Sequence, residues 1–280
     1  MRRSFDEWGS MPPAGPVVLS VSHAGTDYPA ELRAALRVPS AALQGLEDRR
    51  VDAVAHAARG DEPMLVQRLG RAWIDLNRSE RERDPRVDEG APPLRRPILS
   101  AKLRSGLGLV PRRVTGAGDL WARRFTAAEV EARIVADHRP YHDRLEALLL
   151  AARARHGVAV LLDLHSMPPL AEDGPQVVIG DRFGRTAAGR FARALEAEAR
   201  AAGIGVTRNT PYAGGFIVER QGAPERSIHA VQVELDRRLY LDATLDEPGA
   251  GLAATAALVR RMIDALATEA LAMALPHAAE

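Results

Sequence analysis

Residues 158–164 read VAVLLDL, a continuous apolar run that begins after Gly157 and leads into a polar turn. Strands buried on both faces have such runs, whereas strands with one solvated face alternate apolar and polar residues. We therefore predict that this segment is the central strand of a sheet that is covered on both sides. Further strand-like runs occupy residues 16–22, 64–68, 71–76 and 229–235.

Segments with helical periodicity alternate with these runs. They occupy residues 29–36, 48–58, 126–156, 186–202 and 251–274. Thr126 and Glu129 have the spacing of a capping box at the start of the longest predicted helix, and Pro140 is expected to kink or break that helix. Strands that alternate with helices predict a three-layer α/β sandwich, in which helices flank a mixed, mostly parallel central sheet.

The length of 280 residues suits one large α/β domain or two small ones. We see no repeat and no clear interdomain linker, so we expect a single domain over residues 1–280. Residues 81–119 are rich in Arg, Pro and Gly and have little periodicity. This segment is predicted to be a long loop region, and such loops in compact domains are often functional.

The composition argues against several kinds of site and partner. Basic and acidic residues number 38 and 37, so the net charge of +1 gives no reason to expect binding to nucleic acid or to an anionic membrane. The absence of cysteine excludes disulfides, thiolate zinc sites and a cysteine nucleophile, which leaves histidine and carboxylate as metal ligands. We find no signal peptide and no apolar run of the ~20 residues that a membrane span needs, and expect a soluble cytoplasmic protein.

Polar residues of a catalytic kind follow or lie within four of the predicted strands. His23 follows the first strand, Asn77 and Arg78 follow a later one, His165 ends the central strand, and Glu234 lies in the last. Because ligands bind at the carboxyl ends of strands in open α/β sheets, we expect these residues to converge there.

Each of these residues also has a simpler interpretation. A histidine at a strand end can cap the strand, Glu234 can lie on an edge strand with a solvated polar face, and Arg78 can form a salt bridge within a loop. Paired glycines, Gly214 and Gly215 in PYAGGF, permit close backbone approach or a positive φ, although an ordinary turn explains them as well.

The pair Asp163 and His165 shares one face of an extended strand, because the two residues are two positions apart. A carboxylate is the usual hydrogen-bond partner of a metal-bound imidazole. Asp163 is therefore expected to orient His165 or, with better support, His23 on the neighbouring strand. Capping of a nearby turn is the simpler alternative for this aspartate.

Seven motifs, taken together, resemble those of the N-formylglutamate amidohydrolase family. They occur in the family's order over about residues 17–243 and read SHAGTDYP, EDRRVD, WIDLNR, RPYHDRLEALL, DLHSMP, NTPYAGGFIVERQG and HAVQVELDRRLY. DLHS alone is weak, whereas the ordered set is specific. The family is similar to zinc carboxypeptidases and to the aspartoacylase and succinylglutamate desuccinylase group. The resemblance implies their phosphorylase/hydrolase-like α/β fold, one zinc per chain and hydrolysis of an N-acyl amide.

The resemblance also implies a ligand set for the zinc. His23 and His165 match the zinc histidines, and Asp48 matches the third ligand, with Glu47 as its rival. The carboxypeptidase-type relatives have a glutamate three residues after the first histidine, and here that position is Thr26. The third ligand is therefore expected further along the chain, in EDRRVD.

The remaining site residues follow from the same resemblance. Glu234 matches the general base, and Asn77 and Arg78 match the pair that holds the substrate carboxylate and positions it for catalysis. Three further motif residues, Gly214, Gly215 and His229, are assigned to substrate binding.

The implied reaction is the hydrolysis of N-formyl-L-glutamate to formate and L-glutamate by metal-activated water, as in histidine degradation. The alternatives are another N-acyl amino acid or a short peptide as substrate, or a relative that binds a metal or ligand without turnover. Glu234 argues against the last, since binding alone needs no base. A serine hydrolase based on Ser166 is not supported, because the chain lacks a G-x-S-x-G nucleophile elbow. The expected partner is a small-molecule N-acyl amino acid, and no oligomeric state is predicted.

Overall fold

The computed structural model describes residues 4–93 and 101–274. The strands in these ranges are β1 (Phe5–Trp8), β2 (Val17–Val21), β3 (Met64–Gln67), β4 (Arg113–Val114), β5 (Gly118–Asp119), β6 (Ala159–Met167), β7 (Val177–Gly180), β8 (Val206–Arg208) and β9 (Ile228–Asp236). The helices in the same ranges are α1 (Ala30–Ala34), α2 (Val51–Ala58), α3 (Ala101–Arg104), α4 (Ala127–Arg133), α5 (Arg139–His156), α6 (Gly189–Ala201), α7 (Phe216–Gln221) and α8 (Leu252–Ala274).

Seven of the described strands form one sheet in the order β1-β3-β2-β6-β9-β7-β8. β3, β2, β6 and β9 run parallel, β7 is antiparallel to β9, and β8 is parallel to β7. β6, which the run at residues 158–164 predicts, is the central strand, and all nine of its residues are buried. Because successive side chains in a strand point to opposite faces, this burial means that both faces of the sheet are covered.

Helices provide that cover. α2 and α8 pack on β2 and β6, α7 packs on β6 and β9, and α6 packs on β7 and β8. α6 shows why such a segment folds as a surface helix, since its buried residues recur at intervals of three and four and include Phe191, Leu195 and Ala199. The predicted three-layer α/β fold with a mixed, mostly parallel sheet is confirmed. Among the described helices, even the longest lacks an apolar stretch sufficient to span a bilayer.

The chain divides into two compact units. The first contains the described parts of Met1–Asp6, Ser22–Glu47 and Gln67–Asp143, and the second contains the described parts of Glu7–Val21, Asp48–Val66 and Arg144–Glu280. The single domain expected over residues 1–280 stays a prediction.

In the first unit, residues 71–76 form turns and not the predicted strand. The amide of Trp73 donates to the carbonyl of Gly70 over 2.8 Å, and the amide of Asp75 donates to the carbonyl of Leu109 over 2.7 Å. Alternate residues are buried at the start of this segment, which imitates the period of a strand, but its backbone bonds to turns and loops. Asn77 and Arg78 therefore follow a turn and not a strand end.

The predicted helix over residues 126–156 begins and ends as expected. Thr126 and Glu129 form the capping box, and Gly157, which has a φ of 77°, follows the last turn. The regular α-helix is interrupted at Ile134–His138, where a π-helical turn links α4 to α5. Pro140 lies two residues after this wider turn, which accommodates a ring that an uninterrupted α-helix would exclude.

The long loop predicted over residues 81–119 is largely irregular where it is described, and residues 94–100 lie outside the described residues. α3 and the antiparallel pair β4–β5 are its regular parts. A buried ion pair between Arg112 and Asp84, with 3.1 Å between Nε and Oδ2, helps to order it. The sequence patterns do not predict β1, β7, β8 or α7.

Candidate active site

A row of polar side chains lies on one face of the sheet in the second unit. The strand register aligns Ser20 of β2 with Asp163 of β6 and Gln232 of β9, and it aligns His165 with Glu234. Aligned residues in parallel strands point to the same face, and so do residues two apart in one strand. The five side chains therefore share one face, among residues that are otherwise mostly apolar.

His165 is held by two carboxylates. Its Nε2 lies 2.9 Å from Oδ2 of Asp163, and its Nδ1 lies 2.8 Å from Oδ2 of Asp48. Asp163 is fixed in turn by Ser20, whose Oγ donates to Oδ1 over 2.7 Å. Burial by itself lowers the pKa of His165, but the two carboxylates outweigh it and raise the pKa well above its usual range. Both ring nitrogens then carry protons, and one proton must leave before a metal binds.

In the first unit, His23 has an equivalent partner in Asp75. Its Nε2 lies 2.7 Å from Oδ1 of this fully buried aspartate, which also accepts from Nε of Arg71 over 2.8 Å. Burial by itself raises the pKa of Asp75, but the charges of Arg71, His23 and Arg78 outweigh it and hold the pKa well below its usual range. Asp75 is therefore an ionised carboxylate that orients the His23 ring.

Of the two histidines that Asp163 was expected to orient, the second unit shows its contact with His165, because both project from the same face of one strand at hydrogen-bond distance. Asp75 is not among the residues that the sequence motifs predict for the site. The available signal was an aspartate in the apolar run WIDL, since a buried carboxylate needs a partner.

Buried imidazole and carboxylate groups of each unit are candidate metal ligands. In the second unit, Asp48 and His165 are both buried and lie in contact, and in the first unit His23 is buried. An imidazole whose Nε2 bonds to a carboxylate can offer Nδ1 to a metal. Imidazole and carboxylate are the zinc ligands that remain in a chain without cysteine. In the first unit, the carboxylate of Glu47 accepts a hydrogen bond from the hydroxyl of Tyr28.

Glu234 is the partly exposed member of the polar row, and its Oε1 accepts from Nε2 of Gln232 over 2.7 Å. β9 lies between β6 and β7, so the interpretation of Glu234 as a residue of an edge strand is wrong. Alignment with His165 places this carboxylate beside a candidate metal ligand, while its partial exposure keeps it accessible.

Asn77 and Arg78 are both buried in the first unit. Nε of Arg78 donates to the carbonyl of Leu107 over 2.9 Å, and Nη1 donates to the carbonyl of Asn77 over 2.6 Å. These bonds fix the guanidinium in one orientation. A contact from this pair to a substrate carboxylate stays a prediction.

Gly214 and Gly215 belong to the loop between β8 and α7, and the backbone of this loop lies close to the sheet. A Cβ atom on Gly180 of β7 would lie 2.6 Å from the amide nitrogen of Gly214. Gly214 has a φ of 103°, and the amide of Gly215 donates to Oε1 of Gln232 over 2.9 Å. The paired glycines therefore do more than form an ordinary turn, since they bring backbone next to the polar row.

The structure does not bring His229 together with the other predicted site residues. It lies five positions before Glu234, so its side chain points to the opposite face of the sheet. Its ring packs on Phe191 with centroids 4.7 Å apart, its Nδ1 accepts from the amide of Ala188 over 3.3 Å, and burial lowers its pKa to about 4. A role of His229 in substrate binding stays a prediction.

A family model described as N-formylglutamate amidohydrolase matches residues 15–241. The chain belongs to the N-formylglutamate amidohydrolase family. The resemblance in the sequence motifs is thereby confirmed, and the protein is an enzyme of the amide-hydrolase class.

Individual proteins and solved structures also match over nearly the whole chain. An N-formylglutamate deformylase from Pseudomonas aeruginosa is 29% identical over 261 residues, which are 90% of this chain and 92% of that protein. The crystal structure of an N-formylglutamate amidohydrolase from Ralstonia eutropha has a TM-score of 0.82 and 31% identity, and the match covers 98% of each chain. A structure from Agrobacterium tumefaciens, with a TM-score of 0.69 and 21% identity over 97% of this chain and 94% of that one, shares the fold.

Proposed function

We propose that this protein hydrolyses the amide of an N-acyl amino acid, with N-formyl-L-glutamate as its substrate and formate and L-glutamate as products. The observation that carries the proposal is the alignment of Glu234 on one face of the sheet with His165, whose imidazole contacts the buried carboxylate of Asp48. Family membership supports the reaction class, and the names of the relatives support the substrate.

Zinc is the metal we propose, at one ion per chain, with His23, Asp48 and His165 as its ligands. Three protein ligands of nitrogen and oxygen type, with a fourth position for water, are typical of catalytic zinc. When bound, zinc lowers the pKa of its water to about 7 and polarises a carbonyl group. The buried carboxylates Asp75 and Asp163 would fix the ring orientation of the two histidine ligands.

Glu234 would act as the general base. Its carboxylate takes a proton from the attacking water as the new bond forms to the formyl carbon. The same group then returns that proton to the amide nitrogen, so that glutamate leaves as an amine and the carboxylate is regenerated. A formyl group offers few contacts, so the amino-acid half of the substrate must supply most of the positioning energy. We propose that Arg78, with Asn77, binds one carboxylate of that half through its planar guanidinium.

Formate release from a panel of substrates tests this proposal. We expect the zinc-loaded protein to hydrolyse N-formyl-L-glutamate with a higher kcat/KM than N-formyl-L-glutamine, N-formyl-L-leucine or N-acetyl-L-glutamate. Faster hydrolysis of another N-acyl amino acid would keep the reaction and replace the substrate. Absence of hydrolysis across the panel with zinc bound would refute the proposal. Cytoplasmic location and a place in histidine degradation stay predictions.

A further inference from the structure

Two neighbouring strands carry the same arrangement of side chains. In β6, Asp163 lies two residues before His165 and bonds to the imidazole of that residue. In β9, Gln232 lies two residues before Glu234, and its Nε2 donates to Oε1 of that carboxylate over 2.7 Å. The register pairs Asp163 with Gln232 and His165 with Glu234. In each strand, a polar side chain two residues earlier bonds to the residue with a proposed role in catalysis, which is His165 in β6 and Glu234 in β9.

The amide of Gln232 has a defined orientation. A carboxylate accepts hydrogen bonds and a backbone N–H donates them, so Nε2 faces Glu234 and Oε1 faces the amide of Gly215, 2.9 Å away. The side chain is 4% exposed, which makes loss of either bond costly. Gln232 therefore connects the carboxylate of Glu234 to the backbone of Gly215 through two hydrogen bonds.

We propose that Gln232 is the positioning residue of the general base, and that it sets the direction of the Glu234 carboxylate relative to the loop that contains Gly214 and Gly215. This inference rests on the proposed function, in which Glu234 takes the proton. A partly exposed glutamate has several rotamers of similar energy. An amide donor on Oε1 selects one of them and so sets where Oε2 points, and small displacements of a catalytic group have large effects on rate.

Gln232→Met tests the inference, because methionine keeps the length of the side chain and removes both hydrogen bonds. We expect kcat for N-formyl-L-glutamate to fall roughly 10-fold or more, as for a lost hydrogen bond to a charged group, with KM within about 2-fold and zinc content unchanged. Gln221→Met is the matched control, since Gln221 is also a buried glutamine, 5% exposed, in the neighbouring helix α7. Its kcat is expected to stay within about 2-fold of the wild-type value.

The double variant separates positioning from a general structural effect. If Gln232 acts through Glu234, adding Gln232→Met to Glu234→Gln should lower kcat by no more than about 2-fold. The carboxylate that Gln232 positions is already absent from the Glu234→Gln variant. Gln232→Glu is a second probe, which retains an acceptor for Gly215 but puts a like charge beside Glu234. We expect its kcat to be at least as low as that of Gln232→Met, and it keeps the test decisive if Gln232→Met does not fold.

The outcomes distinguish this inference from the proposed function. Inactivity of the zinc-loaded wild-type protein, or full activity of Glu234→Gln, would refute the proposed function. If the wild-type protein is active and Glu234→Gln is not, a wild-type kcat in Gln232→Met or Gln232→Glu would overturn the inference alone. The inference would also be overturned if the fold-loss in kcat of the double variant equals the product of the fold-losses of Gln232→Met and Glu234→Gln.

Discussion

At the scale of single residues, the two histidines proposed as metal ligands are arranged alike. Each ring has a buried carboxylate at Nε2, which is Asp75 for His23 and Asp163 for His165. Such a bond fixes the orientation of the ring and makes the other nitrogen a better ligand. The orientation of each ring is therefore set by this chain's own carboxylates.

Glu234→Gln should retain the fold and the metal and lose at least ~100-fold in kcat, the scale of a lost general base. Glutamine preserves the size of the side chain and can still bond to Gln232, but it cannot accept the proton. Zinc content by elemental analysis and kcat by formate release give the comparison. A wild-type kcat in the zinc-loaded variant would show that another group activates the water.

Arg78→Lys should lower kcat/KM for N-formyl-L-glutamate by about 1.5–3 kcal/mol, the range for a hydrogen bond to a charged group. An ammonium cannot reproduce the planar fork that binds a carboxylate in two places. Zinc content should not change, and the loss should be much smaller for an amide-blocked analogue of the substrate. Equal losses on both substrates would mean that Arg78 serves the fold or the transition state and not the substrate carboxylate.

At the scale of elements, the loop before α7 depends on glycine. A Cβ atom on Gly214 would lie 2.7 Å from Cγ2 of the buried Val218, and the φ of this residue is 103°. Gly214→Ala should therefore destabilise the protein by roughly 2–3 kcal/mol, since a steric cost adds to the conformational one. Urea unfolding of the variant measures the change.

Gly184→Ala is the control for that change. Gly184 has a φ of 79°, but a Cβ atom there meets nothing within 4 Å. Only the conformational cost remains, about 1 kcal/mol. Equal losses in the two variants would show that packing against Val218 is not what requires glycine at position 214.

Long elements of this fold could be predicted from sequence, whereas several short ones could not. β6 and β9 are nine residues each and have clear patterns, whereas β1, β7 and β8 have three or four residues, too few to establish a period. The segment at 71–76 has the alternation of a strand, but its amides bond within turns. The pattern of apolar and polar residues indicates which side chains are buried. It does not indicate the hydrogen-bond partners of the backbone in a short segment, because the tertiary structure determines them.

The site residues, like the elements, could be predicted only where the sequence has a clear pattern. His23, His165 and Glu234 could be found because they follow or lie within predictable strands. Asp48 and Glu47 are adjacent in sequence, and the choice between them depends on the turn after a 3₁₀ helix, where the backbone of Glu47 is extended. Asp75 bonds to a side chain that is far away in the sequence, and no spacing marks such a partner. Gln232 has the spacing of a residue on the same strand face as Glu234, but that spacing alone does not show that the amide bonds to the carboxylate.

At the scale of the whole molecule, metal binding is expected to depend on pH. The pKa of His165 lies well above its usual range, so this residue stays protonated at neutral pH in the metal-free protein. Zinc must displace that proton, so the affinity should rise by up to about 10-fold per pH unit below the raised pKa and level off above it. Calorimetric titrations in buffers of different ionisation enthalpy should show about one proton released per zinc at neutral pH. Affinity independent of pH would contradict the protonated state of His165.

The central claim is that one bound zinc ion and this chain's own base together perform the amide hydrolysis. The most direct test is the rate of formate release from N-formyl-L-glutamate as zinc is added stepwise to the metal-free protein. We expect negligible turnover without metal, a linear rise, and a plateau at about one zinc per chain. Full turnover by the metal-free protein, or a rate that does not respond to zinc, would contradict the account.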